Sequence, residues 1–180
     1  MTGKRQAKNK QRDPEKIFKG FVQRACESGA HEAKIIDAAT IHTAAWVRMK
    51  CRFGCELYGL GYCCPPNTPT PEEMGKVIAC YDKALLFHGI KPGNLSSIAY
   101  ELEREIFLAG FYKAFGLGAG PCSLCRKCPP QRCSHPDRAR PSMESCGIDV
   151  YATVRENGLP IEVLRDETCR GNYYGLVLIE

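Results

Sequence analysis

No stretch of the chain approaches the roughly 20 consecutive apolar residues that a membrane-crossing helix requires, so a helical membrane anchor is not expected. The opening run MTGKRQAKNKQRDPEK has no apolar segment resembling a secretory signal. Without that route to an oxidising compartment, the twelve cysteines do not read as disulfide staples. The expectation is a soluble chain in a reducing, cytoplasmic setting. Equally missing are a GxSxG nucleophile elbow, an HExxH metal helix and a complete phosphate loop. Gly116-Leu117-Gly118-Ala119-Gly120 resembles a nucleotide loop only superficially, because it follows a helical pattern instead of a strand.

The 180 residues suffice to bury a core without covalent staples, and 44% hydrophobic with 25% charged residues is ordinary for a globular protein. The net charge of +5 is carried by Lys4, Arg5, Lys8, Lys10 and Arg12. This basic arm lacks interleaved aromatics, so residues 1–12 read as a flexible solubilising tail and nucleic acid is not an expected partner. Residues 13–180 then form one metal-binding domain.

Asp13-Pro14 is an N-cap followed by proline at the first helical position, and Phe18, Phe21, Val22 and Ala25 continue at helical spacing, which predicts a helix over 14–28. Residues 31–36 and 45–50 read as short strands, the second because Ala45, Val47 and Met49 alternate with Trp46, Arg48 and Lys50. Thr70-Pro71-Glu72-Glu73 is a capping box opening a helix with Met74, Val77, Ile78 and Tyr81 on its apolar stripe. A buried strand is expected over 83–88 and a long helix packed on a sheet over about 97–115. Asp149 caps a short helix ending near Asn157-Gly158, and 161–164 and 173–179 read as closing strands. The fold class is therefore α/β or α+β with cysteine-rich loops, and no internal repeat guides the strand order.

The chemistry lies in those loops. CSLCRKCPPQRC places Cys122, Cys125, Cys128 and Cys133 in a CxxCxxC run whose short spacers bring three thiolates onto one polynuclear centre. In ferredoxins the fourth cysteine of a similar run serves the other cluster, and here the last spacer is longer, so Cys133 belongs to either site. A second group, CRFGCELYGLGYCCPP, supplies Cys51, Cys55 and either Cys63 or Cys64, and Cys146 can add another thiolate. Cys51, Cys55, Cys64, Cys122, Cys125, Cys128, Cys133 and Cys146 make the eight ligands that two four-cysteine clusters need. Each loop keeps its three and takes Cys133 or Cys146 as a fourth, or the loops exchange a ligand. A four-thiolate zinc site is the chemical rival, although zinc sites more usually separate two CxxC pairs by a longer insertion.

Cys26 and Cys80 fall on predicted helices and read as buried small hydrophobes, while Cys169 and Cys63 read as alternate ligands or incidental thiols. Gly59, Gly61, Gly116, Gly118 and Gly120 allow close backbone approach to sulfur or simply loop freedom. Arg126, Lys127, Arg132, His135, Arg138 and Arg140 surround the cysteines with positive charge that would stabilise reduced clusters or attract an acidic partner. Glu144 and Ser145 read as acid–base groups or as part of a capped turn presenting Cys146.

CRFGCELYGLGYCCPPNTPTPEE and GPCSLCRKCPPQRCSHPDRARPSMESCGIDV, with the helix between them, resemble the prokaryotic family catalogued as domain of unknown function 2284, described as predicted metal-binding proteins. The resemblance spans roughly residues 30–180. It implies metal binding without an assigned reaction, and it favours Cys64 over Cys63 because the family's cysteine stands directly before paired prolines, here Pro65 and Pro66. The radical S-adenosylmethionine signature fits less well, since a third cysteine after Cys51 and Cys55 would fall at Tyr58. The leading expectation is an iron–sulfur protein with one or two 4Fe–4S clusters serving electron transfer or a redox partner protein. The alternatives are a cluster-dependent lyase, desulfurase or reductase with an open iron, and a zinc-stabilised interaction module.

Overall fold

The computed structural model describes residues 13–129, 131–166 and 168–180; the basic arm over residues 1–12 lies outside the described residues. Helix α1 (Pro14–Glu27) begins as its sequence dictates, with the Asp13 carboxylate accepting the Glu15 N–H at 3.1 Å and proline in the first turn. Strand β1 (Glu32–Asp37) follows, then α2 (Ala45–Gly54) and α3 (Pro71–Ile78). At the start of α3 Thr70 and Glu73 form the reciprocal capping box, at 3.2 and 2.8 Å. The chain continues through β2 (Lys83–Gly89), α4 (Pro92–Leu108), β3 (Phe115–Leu117), α5 (Val150–Glu156) and β4 (Tyr173–Leu178).

The four strands form one antiparallel sheet in the order β1-β2-β4-β3, which makes the fold α+β. Strand β2 is central and buried along most of its length, so its side chains serve two cores. Leu85 and Phe87 join Val177 and Ile179 against α1 and α4, where Phe21, Leu102 and Ile106 pack. Ala84 and Leu86 point the other way with Leu176 and Leu178, against Met74 and Ile78 of α3 and Val150 and Val154 of α5. This alternation is the period-two geometry of a strand covered on both faces.

Three expectations need correction. Residues 45–50 lie in helix α2, not a strand: among them only Val47 is buried, while Trp46 and Met49 are exposed, so the alternation marks no two-sided burial. Helix α4 starts at Pro92 and ends at Leu108, cut off by Gly110 at φ 111°, a left-handed conformation that suits glycine. Residues 161–164 are irregular; Ile161 is buried but Val163 and Leu164 face outward, and no strand lies over them. Strand β3, only three residues long, was not anticipated at all.

Gly116 and Gly118 owe their identity to close packing on α4, not to sulfur. A Cβ on Gly116 would stand 2.7 Å from the Ala99 carbonyl oxygen, and one on Gly118 would stand 2.3 Å from Ser96 Oγ. Gly118 also closes a neck: its N–H donates to Pro141 O at 2.8 Å and its carbonyl accepts from Met143 at 3.1 Å. Residues 119–141, with the CxxCxxC run, thus leave and re-enter the fold at one point. A two-pronged ion pair fastens this excursion to α4, Arg140 donating to Glu103 at 2.5 and 2.6 Å while Glu103 also accepts the Gly116 N–H at 2.7 Å. Both side chains are largely buried, so Glu103→Ala leaves Arg140 unpaired. It is expected to cost roughly 3 kcal/mol in chemical denaturation, and a change under 1 kcal/mol would show that the pair does not fasten the loop.

Candidate metal centre

Helix α2 places Cys51 one turn above Cys55, which is its C-cap in extended conformation. Both therefore face the loop that follows. Arg48, one turn earlier, ties three segments together: its guanidinium donates to Thr68 Oγ1 at 3.2 Å, to Ser145 O at 3.0 Å and to the Pro69 carbonyl. Loop 55–70 folds back on itself through Gly59 N–H to Pro65 O at 2.8 Å and Asn67 Nδ2 to Gly61 O at 3.2 Å. These bonds turn Cys63 and Cys64 toward the excursion that carries Cys122, Cys125, Cys128 and Cys133.

The result is two adjoining cavities with a common wall. One, of about 270 Å³, is lined by Cys63, Cys64, Cys122, Cys125, Cys128 and Cys133, with Arg126 and Lys127 at its edge. The other, of about 160 Å³, is lined by Cys51, Cys55, Cys63 and Cys64 together with Glu144, Ser142 and Ser145. Gly61 lies between the loops, where a Cβ would make ordinary contact with Cys128 Sγ at 3.6 Å and Cys64 Sγ at 3.7 Å. A wider cleft of about 740 Å³ opens beside the second cavity, sharing Cys51, Cys55 and Glu144 and adding Trp46, Lys50, Tyr151 and Arg155.

Seven of the eight cysteines expected as ligands line these cavities; Cys146 lines neither. It is 1% exposed and packed in the core around α3 and α5, where burial pushes its thiol up to about 11. Cys63, an alternate ligand on sequence grounds, stands in the wall between the cavities, close enough to Cys122 for the two thiols to affect each other's charge. The resemblance favours Cys64 over Cys63, but the fold of loop 55–70 brings both sulfurs to both cavities. Cys26 and Cys80 are exposed, not buried as expected, and Cys80 lies just past the end of α3. Cys169 is exposed on the late loop. His135 contributes its backbone, donating its N–H to Cys133 Sγ at 3.4 Å and accepting from Arg138 and Ala139 in a turn. Arg140 is engaged by Glu103, and it stacks over Tyr100 and Phe115.

The electrostatics are those of crowded, half-buried thiols. Burial and then Cys122 push the Cys63 thiol up to about 12. Cys64 is raised by burial and by Cys55, Cys51, Cys128 and Cys122. Cys51 is raised by burial, with the Arg48 charge opposing. Among the described residues no group of three or more His, Cys, Asp or Glu side chains is already arranged to hold a metal ion. The donor chemistry nonetheless fits a thiophilic metal: every cysteine is free, eight sulfurs surround two cavities, and a backbone N–H is already aimed at one of them.

A comparison with known families matches residues 34–179 to one described as "Predicted metal-binding protein (DUF2284)". The chain belongs to that family. No curated protein and no solved structure matches it. Metal binding through this cysteine-rich family thus agrees with the donor set, while the family description names neither the metal nor a reaction. Among the described residues no helix is long and apolar enough to cross a membrane.

Thiols raised above their ordinary value are protonated at neutral pH, so a metal that binds thiolate must displace protons. Zinc, used as a probe on the metal-free protein, is expected to release about four protons per ion and to bind more tightly as pH rises from about 6 to 8. Proton release followed by pH-stat titration checks this; binding without proton release and without pH dependence would exclude thiolate ligation.

Proposed function

We propose that the chain is an iron–sulfur protein holding two 4Fe–4S clusters in the adjoining cavities and serving electron transfer to or from a partner protein in a reducing, cytoplasmic compartment. The observation that carries this reading is the common wall of Cys63 and Cys64, which sets two groups of sulfurs side by side. Cys122, Cys125, Cys128 and Cys133 supply four thiolates on one side without help from elsewhere. Cavities of 270 and 160 Å³ offer more room than one ion requires, which favours polynuclear centres over single zinc ions. Such a cluster supplies one-electron chemistry when bound. The chain's own part is to hold it, exclude water from it and set its charge environment.

Arg126 and Lys127 line the first cavity and place positive charge beside sulfurs that become more negative on reduction. Leu57, Leu60 and Leu124 line the same cavity and are exposed, so an apolar rim surrounds the sulfurs. That combination suits a partner with an acidic, partly apolar face.

The cleft of 740 Å³ favours a second reading, a cluster-dependent lyase, desulfurase or reductase. It opens directly onto Cys51 and Cys55, and the cations Lys50 and Arg155 with the rings of Trp46 and Tyr151 would receive a small anionic substrate.

Anaerobic purification with iron, sulfide and zinc analysis separates these readings. The expected content is about eight iron and about eight sulfide per chain, with paramagnetic resonance signals that appear on dithionite reduction. Zinc without sulfide would replace the cluster reading by a zinc-stabilised interaction module. A spectrum that changes with added substrate would move the balance to the enzyme.

A further inference from the structure

Glu144 sits where a carboxylate is hard to explain by folding alone. It opens the short 3₁₀ turn Glu144–Cys146, held by bonds from Ser145 N–H to Ser142 Oγ at 3.1 Å and from Ser145 Oγ to Ser142 O at 2.9 Å. Burial raises the Glu144 carboxyl, with its own backbone and Ser142 opposing. Part of the side chain reaches the cleft surface, yet its Oε2 is sealed from solvent and has no hydrogen-bond partner. A buried carboxylate oxygen without a donor is destabilising whether charged or neutral, so an unpaired one points to a missing partner.

Protein donors do not fill that role. The neighbouring guanidinium of Arg48 directs its hydrogens to Thr68, Pro69 and Ser145. What shares the cavity with Glu144 is sulfur: Cys51, Cys55, Cys63 and Cys64 line it, and Cys51 lies close enough for the two groups to affect each other's charge. A cation among these groups would give Oε2 its partner and the thiolates their counter-charge at once.

The donor count leads to the same place. The run from Cys122 to Cys133 has four sulfurs of its own, whereas the cavity under α2 has only Cys51 and Cys55 to itself and shares Cys63 and Cys64 with its neighbour. Of the shared pair, Cys63 feels the charges of Cys122 and Cys133 whereas Cys64 feels those of Cys55 and Cys51 first, and Cys146 lines neither cavity, so three sulfurs fall to this side. We propose that the Glu144 carboxylate is the fourth ligand of the metal site built on Cys51, Cys55 and Cys64, binding one iron of a 4Fe–4S cluster. This rests on the iron–sulfur reading above and deepens it. Carboxylate oxygen is a harder donor than thiolate and holds iron less firmly. Because Glu144 also lines the 740 Å³ cleft, the iron it binds is the one an incoming ligand would reach.

The test uses the full chain, loaded anaerobically with iron and sulfide, as wild type and as Glu144→Gln, Glu144→Cys and Cys146→Ser. Iron and sulfide are counted before and after a brief ferricyanide pulse, and the paramagnetic resonance spectrum is recorded each time. Glu144→Gln is expected to lose one iron per chain about tenfold faster than wild type, with a three-iron signal appearing, while the other cluster is untouched. Glu144→Cys is expected to restore iron retention with a shifted spectrum, and Cys146→Ser to match wild type. Should the Gln variant fail to fold, retention and spectrum in the Cys variant decide, because an unchanged spectrum there would mean that position 144 does not touch iron. An iron-loaded wild type matched by Glu144→Gln would overturn this inference alone, as would iron loss from Cys146→Ser without loss from Glu144→Gln. An iron-free wild type would overturn the iron–sulfur reading with it.

Discussion

Ionised sulfurs gathered in one place repel one another, so cysteines that line the same two cavities favour either the neutral thiol or a shared cation. The raised Cys51, Cys63 and Cys64 thiols express the first state. Metal binding would convert the protein to the second. Much of the surrounding structure serves to bring those sulfurs close despite this cost.

Two fastenings meet that demand from opposite sides. Arg48 binds helix α2 to the segment before α3 and to the turn at Ser145, fixing the base from which Cys51 and Cys55 project. The Glu103–Arg140 pair and the neck at Gly118 fix the excursion that carries the CxxCxxC run. The sheet supplies rigidity behind both, since β2 is buried on both faces and links the two cores. The sulfurs themselves lie on loops, which can adapt to a cluster while their ends stay anchored.

Elements with their own start signals were legible before any fold was known. Asp13-Pro14, Thr70-Pro71 and Asp149 each cap a helix where expected, because a cap is a contact within a few residues. The buried strand β2 was also legible from its apolar run. Helix α2 was not: its short alternating stretch fits either period, and what decides is the long-range tie from Arg48 and the burial of Val47 alone among residues 45–50. Strand β3 exists because Gly116 and Gly118 allow it to lie against α4, a contact across some twenty residues that local pattern does not report. At the site, spacing identified the CxxCxxC run and the pair Cys51–Cys55, but it could not tell a core thiol at Cys146 from a cavity thiol at Cys63. Glu144 was visible only as an acid–base group; its unpaired oxygen in a sulfur-lined cavity is a property of the fold.

The protein has two neighbouring sulfur-lined cavities of unequal character. One is enclosed by four cysteines of a single loop, and the other adjoins an open cleft and a carboxylate. Diffraction from anaerobically grown crystals, collected on both sides of the iron absorption edge, tests the central claim most directly. Iron density in both cavities, on either side of the Cys63–Cys64 wall, is the predicted result; a single zinc ion in one of them, or iron outside them, would contradict it.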